Sequence, residues 1–183
     1  MKITILDGEP SPAAEFDLYL KQVADHAARV GNDVKLIQLR DLTLKGCSGC
    51  WSCWVKTPGE CAKRDDSVLL CRSVIASDLL VFASPVNMGF TTALLKRAAD
   101  QMIPLLHPYF EVEGGEIHHR ARYDCYPLMA LLLAPDPETD AEDLAICQEI
   151  WSRTARNMKS RLALTVTIDR SPEEVVHDLA AVA

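Results

Sequence analysis

Two runs of this chain are apolar on both faces of any strand they form. Asp78–Ser84 reads Asp-Leu-Leu-Val-Phe-Ala-Ser, and Pro127–Leu133 reads Pro-Leu-Met-Ala-Leu-Leu-Leu. A strand without polar alternation needs cover on both sides, which is the condition of a parallel sheet between helical layers. Shorter runs of the same kind lie at Ile3–Leu6, at Val34–Leu39 and at Leu162–Ile168. The intervening segments have helical spacing. Phe16, Leu20, Val23, Ala27 and Val30 follow a Ser11-Pro12 start and stop at Gly31, as expected of a helix with proline near its first turn and glycine past its end. Further helices are predicted over 65–75, with an aspartate cap from Asp65-Asp66, and over 91–102, 139–158 and 172–182, the last capped by Ser171. Five β/α units predict an α/β fold: a doubly wound five-stranded parallel sheet of order 2-1-3-4-5 with helices on both faces. Such sheets bind ligands beyond the carboxyl ends of the strands, at the switch point between strands 1 and 3. The loops there begin at Asp7, Ser84 and Ala134.

With 183 residues and no linker, repeat or low-complexity stretch, the chain reads as one domain, 1–183, interrupted by a cysteine loop at 47–61 and an insertion at 104–125. Its net charge is −7, which argues against nucleic acid, whose phosphates need a basic face. No apolar run approaches a membrane span. The first residues enter a strand directly, without the apolar region of a signal peptide. The expected compartment is therefore the cytoplasm, where seven cysteines are better explained by metal or redox chemistry than by structural disulfides.

Four of those cysteines are Cys47, Cys50, Cys53 and Cys61, with spacing C-x2-C-x2-C-x7-C. Three thiols at a repeat of three crowd one side of a tight loop, and the fourth arrives after a turn at Pro58-Gly59. Converging thiolates suit a [4Fe-4S] cluster. Zinc usually takes two separate C-x2-C knuckles. Free or redox-active thiols, or a disulfide, are the other readings. Trp51 and Trp54 flank Cys53, either to shield a cluster from water or to pack the loop. Cys71, Cys125 and Cys147 stand among apolar neighbours and read as buried, inert thiols.

The cysteine loop, Asp65-Asp66, Ala83-Ser84-Pro85-Val86 and Leu95-Lys96-Arg97-Ala98-Ala99-Asp100 together resemble the flavodoxin-like NAD(P)H-dependent FMN reductases, and more narrowly their iron–sulfur flavoprotein branch. The resemblance covers roughly residues 1 to 135. It implies FMN at the switch point, held by Gly8 and Ser11 and by Ser84, Pro85, Val86, Asn87, Met88, Gly89 and Phe90. It implies a cluster on the four loop cysteines, NAD(P)H as a possible electron donor, and a small-molecule or protein partner for electron exchange in a homodimer or larger assembly.

The first loop departs from that pattern. Asp7-Gly8-Glu9-Pro10-Ser11-Pro12 has two prolines, each lacking an amide donor. Glu9 and Glu15 place negative charge where a phosphate would sit. Like charges about 6 Å apart at an effective dielectric near 20 repel by roughly 3 kcal/mol, which costs about two decades of affinity. A flavodoxin-like domain with a degenerate phosphate loop, its cysteines serving as a metal staple or as thiols of a binding module, is therefore the competing expectation; a flavin reductase without a cluster is a third. Residues 104–125 carry aromatics that need burial, and a second subunit is the expected partner. Within them His118 and His119 face opposite ways on a strand and cannot share a metal. They read as surface or dimer-contact residues, or, with Arg120 and Arg122, as a basic site for an anionic cofactor tail.

Overall fold

The computed structural model describes residues 1–12 and 14–182. The expected sheet is present: β1 (Lys2–Asp7), β2 (Asp33–Gln38), β3 (Leu79–Asn87), β7 (Leu128–Ala134) and β8 (Leu162–Thr167) are parallel in the order β2-β1-β3-β7-β8. It is the flavodoxin-like arrangement, with β1 and β3 at its centre. Between β3 and β7 lie three further strands: β4 (Phe90–Thr91), β5 (Leu106–Glu113) and β6 (Glu116–Ala121).

Alternation along the strands divides the core. Ile3 and Ile5, Leu79, Val81 and Ala83, and Ala130 and Leu132 point to one face, where helices α1 (Ala14–Arg29) and α6 (Pro172–Val182) cover them with Phe16, Leu20, Val23, Val175 and Leu179. Leu6, Leu80, Phe82, Leu131 and Leu133 point to the other. That face carries α3 (Ser67–Ile75), α4 (Ala93–Asp100) and α5 (Ala141–Asn157), which contribute Leu70, Val74, Leu95, Ala98 and Trp151. Each such side chain taken from water is worth roughly 1.5–3 kcal/mol before entropy is charged. Both faces being covered is why these strands show no polar alternation.

Helix starts follow local chemistry. Asp140 caps α5 and Asp143 closes the reciprocal box. Ser171 and Glu174 do the same for α6. The acid pair before α3 does something different. Asp65 bonds the Ser67 amide at 3.1 Å and also the Lys45 amide at 2.9 Å, while Asp66 bonds the Thr43 amide at 2.7 Å. The pair thus ties the start of the cysteine loop to the start of the helix that follows it.

The insertion is a β5–β6 hairpin, and its polar face is pinned to α5 and the turn after it. Lys159 reaches Glu111 and Glu113, and Glu116 takes Arg153, Arg156 and His118. The Arg153 guanidinium, with the His118 ring, holds the Glu116 carboxyl down to about 2. No helix among the described residues is long and apolar enough to cross a membrane.

Candidate functional site

The switch point lies where β1 ends at Asp7 and β3 at Asn87. The Gly8 amide donates to Ala83 O at 2.8 Å. A Cβ on Gly8 would stand 2.8 Å from Leu95 Cβ and 2.9 Å from Ala83 O, so only glycine allows this approach. Thr92 donates its hydroxyl to Gly8 O and accepts from the Leu95 amide, which caps α4. Ser84 Oγ accepts from the Thr92 amide at 3.0 Å and donates to Pro85 O at 2.7 Å.

The other described amides of the first loop are also bonded. The Glu9 amide goes to Asp7 Oδ1 at 2.9 Å, and the Ser11 amide to Glu9 Oε1 at 3.0 Å. Pro10 and Pro12 have none. No backbone N–H between Gly8 and Pro12 is free for a phosphate, and a carboxylate already occupies the one at Ser11. The backbone of residues 8–12, as folded, does not fit a phosphate group. Ala13 lies outside the described residues. Asp7 itself is fully buried; Arg40 bonds it at 3.1 Å and grips Asp17 through two nitrogens at 2.8 and 3.0 Å. Burial pushes the Asp7 carboxyl up to about 6 against the pull of the Glu9 amide and Arg40.

The segment expected as a loop at 85–90 is instead the end of β3 turning into β4. Asn87 pairs with Phe90, and the two turn residues Met88 and Gly89 have φ of 52° and 75°, as in the primed turns that match strand twist. Val86 is core, and Phe90 packs against it. Asn87 and Met88 stand exposed at the tip. The third loop closes on itself through Asp136, Glu138 and Thr139.

A second site is built from the cysteine loop. Gly46, Gly49 and Trp51 have φ of 73°, 65° and 63°. Left-handed backbone at a tryptophan is uncommon and costs energy. It lets Trp51 start the single-turn helix α2 (Ser52–Val55), which delivers Cys53. The Gly59 amide returns to Cys53 O at 3.0 Å and brings Cys61 back. Cys47, Cys50, Cys53 and Cys61 all border one cavity of about 150 Å³, together with Trp51, Trp54, Gln101, Ile103 and Pro104. Burial raises the Cys53 thiol, and the neighbouring Cys47, Cys61 and Cys50 raise it further. The Ser52 hydroxyl and amide lower Cys50. Trp54 is fixed by its indole N–H to Leu106 O at 3.0 Å and by the His119 ring 4.8 Å away.

All seven cysteines are free thiols. Among the described residues no three His, Cys, Asp or Glu side chains converge as for a metal ion; what the four loop thiols share is the border of one cavity. Four thiols are the donor set of a cluster, which presents a separate iron to each thiolate, and equally of tetrahedral zinc, with four bonds of about 2.3 Å to one centre. Cys71 and Cys147 are buried as expected, Cys71 with its thiol pushed up to about 12 by burial. Cys125 is exposed instead, because it sits in the polar turn after β6.

The histidine pair does diverge. His118 is buried against Asn157 and Glu116, not at the surface, while His119 turns to Trp54 and Phe110. Arg122 is bonded to the carbonyls of Pro104 and Leu106. The expected basic site for an anionic tail is thus largely spent on internal contacts. Gln101 was not singled out by motif. It continues the buried stripe Leu95, Ala98, and a polar residue at that spacing is the signal that finds it. Helix α4 connects the two sites: Thr92 bonds the first loop, and Gln101 borders the cysteine cavity. At about 1.5 Å of rise per residue they lie roughly 14 Å apart along the helix.

The fold, the switch point and a cysteine cavity beside it define a flavodoxin-like protein with a second, thiol-lined centre. The sequence model of the NADPH-dependent FMN reductases matches residues 1–115, well over half of the chain, and the chain belongs to that family. It is 27% identical over 101 residues to an iron-sulfur flavoprotein of Archaeoglobus fulgidus and 30% identical over 105 residues to one of Methanocaldococcus jannaschii. Those alignments take in 55% and 57% of this chain and 48% and 53% of the relatives, so the chain spans about half the length of the curated relatives it matches. Among solved structures, NAD(P)H:quinone oxidoreductase from Methanothermobacter marburgensis superposes with a TM-score of 0.66, covering 99% of this chain and 95% of its own; at 14% identity the likeness is one of fold.

Proposed function

We propose that this chain is an electron-transfer oxidoreductase of the FMN reductase family whose working centre is a [4Fe-4S] cluster on Cys47, Cys50, Cys53 and Cys61. The observation that carries the reading is that all four thiols border one mostly apolar cavity. The names of the archaeal relatives support it. A bound cluster supplies one-electron transfer. The chain's own part is to present thiolates and to order the loop. Ser52 favours the thiolate of Cys50; Trp51, Trp54, Ile103 and Pro104 form the apolar wall, while Cys47 and Cys50 themselves are exposed. A groove of about 640 Å³ opens beside Cys47, with Lys96 and Arg153 at its rim; we assign it to the small-molecule or protein donor or acceptor, with NAD(P)H supported by the family. The proposed setting is the cytoplasm, which keeps such thiols reduced.

FMN is the family's cofactor, but the occupied first loop works against its phosphate. That observation favours a second reading, in which the flavodoxin-like domain holds little or no FMN and the cysteine loop is its metal-stapled or thiol-bearing feature. The visible spectrum of anaerobically purified protein separates the two: flavin gives two bands, a cluster a broad brown shoulder. The assignment of the ligands is tested by Cys50→Ser, which is expected to abolish bound iron after anaerobic reconstitution, whereas Cys147→Ser keeps it. Equal iron in the wild type and Cys50→Ser would sink the four-cysteine site.

A further inference from the structure

Gln101 is 2% exposed, and its side-chain Nε2 is buried with no hydrogen-bond partner. Its backbone is fully committed: the amide donates to Arg97 O and Ala98 O, and the carbonyl accepts from the Cys71 thiol at 3.3 Å. Only the carboxamide is left over. A buried donor without a partner costs about 1–3 kcal/mol, which native proteins rarely leave unrecovered. Among the described residues two other buried side-chain atoms lack partners, Ser67 Oγ and His119 Nδ1, and neither residue borders the cysteine cavity; Gln101 does.

We propose that the Gln101 amide is a hydrogen-bond donor to the occupant of the cysteine cavity, and that it raises the reduction potential of that centre. The inference rests on the cluster reading above. Sulfide and thiolate sulfurs are acceptors, and they become stronger acceptors when an electron is added. An N–H fixed beside them therefore stabilises the reduced form more than the oxidised one, and hydrogen bonds to the sulfurs are among the factors that set cluster potentials. Two other side-chain donors of the wall are committed elsewhere. Trp54 has given its indole N–H to Leu106 O, and Lys63 has placed its ammonium on Gly46 O. Gln101 is a positioning and tuning residue, placed at the C-cap of α4, where its backbone carbonyl also accepts from the Cys71 thiol.

The experiment compares the whole chain, wild type, with Gln101→Met and Gln101→Glu, each reconstituted anaerobically with iron and sulfide. Iron content, midpoint potential and the thermal midpoint of the metal-free protein are read. Methionine has about the same length and no donor. It is expected to bind iron as the wild type does and to shift the reduced-to-oxidised ratio about tenfold toward oxidised, which for one electron is a potential lower by about 59 mV. Glutamate, an acceptor with a charge, is expected to lower the potential further or to lose iron. In the metal-free protein Gln101→Met is expected to melt no lower than the wild type, since the orphaned group is gone; a purely structural glutamine would make it melt lower. A loaded cluster with one potential in all three proteins would overturn the role of Gln101 while leaving the cluster standing. Wild-type protein that takes up no iron would overturn both.

Discussion

At the scale of single residues, the most consequential group is the carboxylate of Glu9. It sits on the Ser11 amide, in a loop where related chemistry calls for an anion and a helix start. The protein thus supplies its own anion. A phosphate must displace that carboxylate and meet its charge. Glu15 is an exposed residue in the first turn of α1 and, among the described residues, bonds no part of the loop. The two acids therefore have unequal effects. Glu9→Ser is expected to tighten FMN binding by at least tenfold in a fluorescence titration, taking the lower half of the roughly 3 kcal/mol repulsion as the part relieved. Glu15→Asn alone should change it little. Tight binding by the wild type would show that a phosphate reaches donors beyond residues 8–12. The presence of Glu9 was legible in the sequence; its hydrogen bond was not, because a side chain two residues from an amide can equally point to water.

At the scale of elements, α4 is the piece that joins the two candidate sites. Its start depends on Thr92, which caps Leu95 and holds Gly8 in one side chain. Thr92→Val keeps the shape and removes both bonds, and is expected to cost about 1–2 kcal/mol of unfolding free energy in a urea titration. No change in midpoint would mean that the first loop is held by the Gly8–Ala83 bond alone. Helix and strand periods were readable because burial on both faces of the sheet leaves a strong apolar pattern. Caps inside one element, Asp140 with Asp143 and Ser171 with Glu174, were partly readable for the same local reason. The staple formed by Asp65 and Asp66 was not, since its partners Lys45 and Thr43 lie some twenty residues back.

At the scale of the whole molecule, the β5–β6 hairpin sets one face against α5 and leaves the other bare. Phe110, Val112 and Ile117 are 61%, 75% and 72% exposed. Register places Val112 opposite Ile117 and Phe110 opposite His119, so these side chains form one surface that continues through His119 to Trp54 and Trp51 at the cysteine cavity. Contiguous apolar surface of this kind marks an interface, and we propose a second copy of this chain as its occupant. Phe110→Ser with Val112→Thr and Ile117→Thr is expected to convert a dimer or larger species into monomer in sizing chromatography with light scattering. None of these side chains is buried in the chain itself, so unfolding should not intervene. A wild-type monomer at micromolar concentration would refute the interface.

The sequence by itself determined the sheet and its order, because apolar runs and their spacing are local and the handedness of β/α crossovers leaves few alternatives. It also determined which cysteines could act together, since a repeat of three within a glycine-bearing loop brings thiols to one side. Only the tertiary structure decided that these thiols share a cavity with Gln101 and that the insertion is a hairpin pinned by Glu116 and Lys159. It also showed that the amides of Gly8, Glu9 and Ser11 are already taken. Each of these depends on groups far apart in the chain meeting in three dimensions, and the energy of such meetings leaves no mark on local pattern.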